Sequence, residues 1–79
     1  MLELRPNCEC CDADLAPEKS GALICSFECT FCMPCGESLG GNCPNCGGLL
    51  FARPTRSAAL LTKYPASTKR HLRAEPCFT

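Results

Sequence analysis

Seventy-nine residues suffice for one small domain, and four Phe, one Tyr and no Trp give it few large side chains to bury. Ten cysteines are far above ordinary usage, so disulfides or metal ions must replace part of the missing core. The zero formal charge argues against a uniformly basic nucleic-acid binder, but it conceals a split: residues 1–50 carry two basic and seven acidic side chains, residues 51–79 six basic and one acidic.

The N-terminal "MLELRPNCEC" has neither a basic leader nor an apolar run of secretory length, so no export signal is expected. No segment approaches the roughly 20 apolar residues needed to cross a bilayer, and no membrane partner is expected. Both features predict a cytoplasmic protein whose thiols stay reduced. The alternative is a secreted domain, stripped of its signal, with five disulfides.

In chain order, "LELRP" alternates apolar and polar and ends at Pro6, which predicts a short strand or extended lead-in. "CCDADLAPEKSG" is rich in turn formers and reads as a surface loop. "ALICSFECTF" has the β-branched and aromatic content of a hairpin turning at Cys25 to Cys29. "PCGESLG" predicts one or two helical turns, opened by Pro34 and closed by Gly40–Gly41. Gly36 weakens that helix by about 1 kcal/mol relative to Ala. "LLF" reads as a short closing strand. In the tail, "SAALLTKYP" predicts a short helix capped by Ser57 and stopped by Pro65, and "STKRHLRAE" a further turn. The expected division is a metal-binding head, 1–52, and a basic tail, 53–79, that is helical or disordered. The expected minor core is Leu2, Leu4, Leu23, Ile24, Phe27, Phe31, Leu39, Leu49, Leu50 and Phe51.

Eight cysteines fall into four pairs: Cys8 and Cys11, Cys25 and Cys29, Cys32 and Cys35, Cys43 and Cys46. A two-residue gap lets both thiolates of a tight turn face one ion, and a second pair completes the tetrahedron favoured by Zn2+. Four pairs saturate two ions, and closed all-thiolate sets are the structural kind of zinc site. Iron–sulfur ligation is the rival for such a set, and isolated C-x2-C pairs also occur in redox proteins. Cys10 and Cys77 are left over; Cys77 is expected to be a free terminal thiol, and Cys10 is a weaker substitute for Cys8 or Cys11 as ligand.

The gaps between these ligands, 2, 13, 3, 2, 2, 7 and 2 residues, resemble the RING-finger pattern over residues 8–47, with Cys29 where many such domains have His. Phe31 before Cys32, Leu39 after Cys35 and Pro44 within the last pair extend the likeness. The resemblance implies a treble-clef zinc finger with a short β-hairpin and one short helix. It also implies a cross-brace, in which Cys8, Cys11, Cys32 and Cys35 share one ion and Cys25, Cys29, Cys43 and Cys46 the other. A sequential pairing remains open. "MLELRPNCECC", "ICSFECTFC" and "CPNCGG" followed by "RP" are also similar to a family of short bacterial cysteine-rich proteins with no assigned function.

The expected function is a zinc-held module that presents loop residues such as Asp12, Asp14, Leu15, Phe27, Met33 and Pro44 to a protein partner. Nucleic-acid binding by Arg53, Arg56, Lys63, Lys69, Arg70 and Arg73 is the alternative. Ubiquitin-type ligation is implied only by the RING resemblance, and Asp12 and Gly47 depart from the ligase pattern. Zinc storage or sensing is a further reading. No enzymatic activity is expected: the single histidine, His71, lies in the tail, and no nucleophile–base set or phosphate loop is visible.

Overall fold

The computed structural model describes residues 2–74 and residue 77. Three short strands form one antiparallel sheet: β1 (Ala22–Ile24), β2 (Thr30–Cys32) and β3 (Phe51–Ala52), in the order β2-β1-β3. Leu23 faces Phe31 on one side and Ala52 on the other, so β1 is the central strand. The β1–β2 connection closes with Glu28 in the left-handed region (φ 65°) and with its N–H donating to the Cys25 carbonyl at 3.0 Å.

Helix α1 (Met33–Ser38) follows β2 without a loop and carries Pro34 in its first turn. It stops in a Schellman arrangement. Gly40 takes φ 68°, its N–H donates to the Glu37 carbonyl, and the Gly41 N–H donates to the Gly36 carbonyl, both at 3.0 Å. Gly36 is buried against β1, and a Cβ there would strike Leu23 Cδ1. The glycine that costs helix propensity is thus what lets α1 lie close to the sheet.

Helix α2 (Ala58–Lys63) is capped by Ser57, whose Oγ accepts from the Leu60 N–H at 3.4 Å. It buries no residue. Arg56 anchors it instead, donating to the carbonyls of Tyr64 at 2.8 Å and Leu2 at 3.1 Å. Beyond Pro65 the chain forms neither helix nor strand among the described residues and runs back across the head. The further turn expected from residue 67 does not form among the described residues.

The buried cluster is Cys8, Cys25, Phe31, Cys32, Cys35 and Cys43. Its centre is therefore sulfur, with Phe31 as its aromatic member. Leu4, Phe31 and the partly buried Leu39 and Leu50 occupy the interior as expected, but Phe27, Leu49 and Phe51 are 71%, 63% and 65% exposed. Cysteine side chains take the volume that those three were expected to fill. Residues 2–5 also fail to pair as a strand; Leu4 sits at φ 57°, which breaks an extended run.

Candidate metal centres

Two loops of the head are built alike. In the first, the Asp12 N–H donates to the Cys8 carbonyl and the Cys8 N–H to the Ala13 carbonyl, both at 2.9 Å. In the second, the Gly47 N–H donates to the Cys43 carbonyl at 2.8 Å and the Cys43 N–H to the Gly48 carbonyl at 2.7 Å. Each loop turns through a left-handed residue directly after its second cysteine, Asp12 at φ 63° and Gly47 at φ 76°. Each is flanked by a single bridge, Asn7 to Asp14 and Asn42 to Leu49. The same backbone path aims both sulfurs of each pair to one side.

Cys32 ends β2 and Cys35 lies in the first turn of α1, so the strand-to-helix junction aims a third pair. The sulfurs of Cys8, Cys11, Cys32 and Cys35 all lie within 4.8 Å of one another. Cys11 Sγ and Cys32 Sγ are 3.6 Å apart. Four sulfurs about 2.3 Å from a tetrahedral ion are separated by about 3.8 Å, so this tetrad fits such an ion.

The sulfurs of Cys25, Cys43 and Cys46 form a second group within the same mutual distance. Cys29, the eighth cysteine of the four pairs, stands outside this group, although its thiol borders Cys25 and the Asn45 amide. Cys29 follows the left-handed turn at Glu28. Backbone amides point at two of these sulfurs: Phe27 N–H to Cys25 Sγ at 3.3 Å and Gly48 N–H to Cys46 Sγ at 3.4 Å. Pairs one and three therefore meet, and so do Cys25 and pair four, which is the interleaved arrangement and not the sequential one.

The thiols of each group differ in proton affinity. Burial pushes Cys8 up, but N–H groups of Cys11, Cys32 and Cys10 outweigh it and bring the thiol down to about 7. Cys25 is likewise lowered, with burial overcome by the N–H groups of Phe27 and Cys29. Burial and neighbouring sulfurs raise Cys32, Cys35 and Cys29, and Cys43 is pushed up to about 12. The first group thus sets Cys8, whose proton affinity is lowered, beside Cys32 and Cys35, whose affinity is raised, and the second sets a lowered Cys25 beside a raised Cys43. A divalent cation is the species that offsets the raised affinities.

Glu9 joins the two centres, and no spacing rule singled it out. It is buried, its Oε2 accepts from the Thr30 N–H at 3.2 Å and from Arg5 at 3.3 Å, and its Oε1 accepts from Asn45 Nδ2 at 3.2 Å. Asn45 lies inside the last cysteine pair, so a carboxylate from the first loop holds the second. Arg53 is a second bolt. Buried at 5% exposure, it donates to the Arg5 carbonyl at 2.8 Å and the Leu15 carbonyl at 3.3 Å, bracketing the first loop. Cys10 and Cys77, the two cysteines left over by pairing, are joined in a disulfide, so Cys77 is not the free thiol expected.

These features define a small three-stranded domain with two short helices and two cysteine clusters that could hold metal ions. The chain belongs to the DUF1272 family, described as proteins of unknown function, which matches residues 1–56. It is 63% identical over 78 residues to an uncharacterised protein of Rhizobium meliloti (strain 1021), an alignment covering 98% of this chain and 93% of that one. No solved structure matches it. Among the described residues no helix is long and apolar enough to cross a membrane.

Proposed function

We propose that this protein is a non-catalytic zinc module in which two Zn2+ ions hold the head in shape for a protein partner. The sulfur tetrad of Cys8, Cys11, Cys32 and Cys35 carries the reading, because four converging thiols leave no open coordination position. The second ion takes Cys25, Cys43 and Cys46, with Cys29 swinging in as fourth ligand. The interleaving makes the head a RING-like brace. Ligation is not part of the proposal, since Asp12, after the second cysteine, is exposed and held by Arg70 at 2.9 Å.

The partner would meet an apolar face. Ile24, Leu49, Phe51 and Ala52 line a cavity of about 370 Å³ at the β3 edge. Exposed apolar side chains grouped in this way are typical of docking surfaces. Nucleic acid is disfavoured as partner because four tail guanidiniums already serve the protein: Arg53 and Arg56 hold carbonyls, Arg70 holds Asp12 and Asp14, and Arg73 holds Asn45.

Native mass spectrometry with metal quantification, on protein purified from zinc-supplemented cultures under reducing conditions, tests the reading. Two zinc ions per chain are expected. A compact chain with one ion or none, or with iron and sulfide instead, would overturn it.

A further inference from the structure

The segment 66–74 crosses both cysteine loops without forming regular structure. Asn7, fully buried, treats it as a neighbouring strand: its Nδ2 donates to the His71 carbonyl at 2.8 Å and its Oδ1 accepts from the His71 N–H at 3.1 Å. Arg70 spans Asp12 and Asp14 at 2.9 and 2.8 Å. The Arg73 N–H donates to the Glu9 carbonyl at 3.0 Å, and its Nε reaches Asn45 Oδ1 at 2.7 Å. Past these contacts, Cys77 is bonded to Cys10, which lies between two candidate ligands, Cys8 and Cys11.

The side-chain hold on either side of the buried Asn7–His71 pair is exposed. Both ion pairs of Arg70 are exposed, and such pairs contribute little in water. A cavity of about 320 Å³ lies between Ala66, Ser67 and Arg70 on the strap and Leu4, Pro6 and Leu15 on the head, so little apolar packing binds them. One covalent bond, closing a separation of 67 residues, therefore decides whether the strap stays down.

We infer that the Cys10–Cys77 disulfide is a thiol-responsive latch, whose reduction frees the strap and parts Arg70 from Asp12 and Asp14 while both clusters stay intact. The reductant is a dithiol. One of its thiolates attacks a sulfur of the Cys10–Cys77 bond and forms a mixed disulfide, and the released thiolate takes a proton. Its second thiol then displaces the remaining protein sulfur, which is protonated in turn. Two electrons and two protons pass to the protein, leaving two thiols, and the dithiol becomes a disulfide.

Lys69, Arg70 and Arg73 put trypsin sites on the strap, and exposed Lys19 offers an internal reference on the head. The test is limited trypsinolysis of the metal-loaded chain, oxidised or reduced with a trialkylphosphine, followed by mass spectrometry and metal counting. Reduction should speed cleavage at the three strap sites by roughly tenfold or more, with the Lys19 rate and the metal content unchanged. Cys77→Ser should behave as the reduced protein with or without phosphine. Equal strap cleavage in both redox states would overturn the proposal. So would acceleration at every site with loss of metal, because reduction would then open the head itself.

Discussion

Replacing Arg53 with Met should unfasten the first cysteine loop. The guanidinium is buried and its two hydrogen bonds end on the carbonyls of Arg5 and Leu15, on either side of Cys8 and Cys11. Hydrogen bonds from a charged donor contribute about 1.5–3 kcal/mol each, so the gross loss is about 3–6 kcal/mol. Burial works against the charge and lowers its proton affinity, and removing that cost returns part of the loss. A net destabilisation of about 2–4 kcal/mol is expected. For a domain of this size each kcal/mol moves the melting point by about 4–8 °C. Urea unfolding at a fixed free zinc concentration, followed by far-ultraviolet dichroism, measures it. Arg53→Lys, with one nitrogen in place of a fork, should keep one of the two bonds and show about half the loss. A Met variant within about 0.5 kcal/mol of the parent, as for an ordinary surface position, would refute the buried-bolt reading.

Zinc uptake by metal-free protein should release protons, because burial and neighbouring sulfurs keep Cys35 and Cys43 protonated at neutral pH while the ion requires thiolates. Apparent affinity then rises with pH and falls in acid; a titration in weak buffer that releases none would contradict it. Cys25→Ser should abolish metal at the second centre, whereas Cys29→Ser should keep one ion there with faster exchange, as judged by native mass spectrometry; equal losses would place Cys29 among the sulfurs already converged. Gly36→Ala should give no gain in stability, although helix propensity favours Ala by about 1 kcal/mol, because the new Cβ displaces Leu23 from its seat against α1. A measured gain near that figure would show that Leu23 yields freely.

The parts of this molecule legible in its sequence are those set by neighbours along the chain. The hairpin about Cys25 to Cys29, the Pro34 start and Gly40 stop of α1, and the Ser57 cap of α2 each depend on a few adjacent residues, and each is present. The cysteine pairs were legible for the same reason. What spacing could not supply was partnership at a distance. Cys10 and Cys77 read as leftovers because nothing local joins residues 67 apart. Glu9 and Asn45 are singled out by no spacing rule, yet their side chains tie the two loops together. Arg53 enters only the alternative, nucleic-acid reading, through a charge count that records no direction. Phe27, Leu49 and Phe51 were assigned inward by hydrophobicity alone, in a head where sulfur already fills the centre.

Along the chain the sulfurs alternate, first centre, second, first, second, so no stretch of the head belongs to one centre alone. If each cluster holds an ion, as proposed, pulling one from either place would slacken the segments that shape the other. Half-filled molecules should accordingly be scarce, with the chain passing between empty and full in one steep step as metal becomes available.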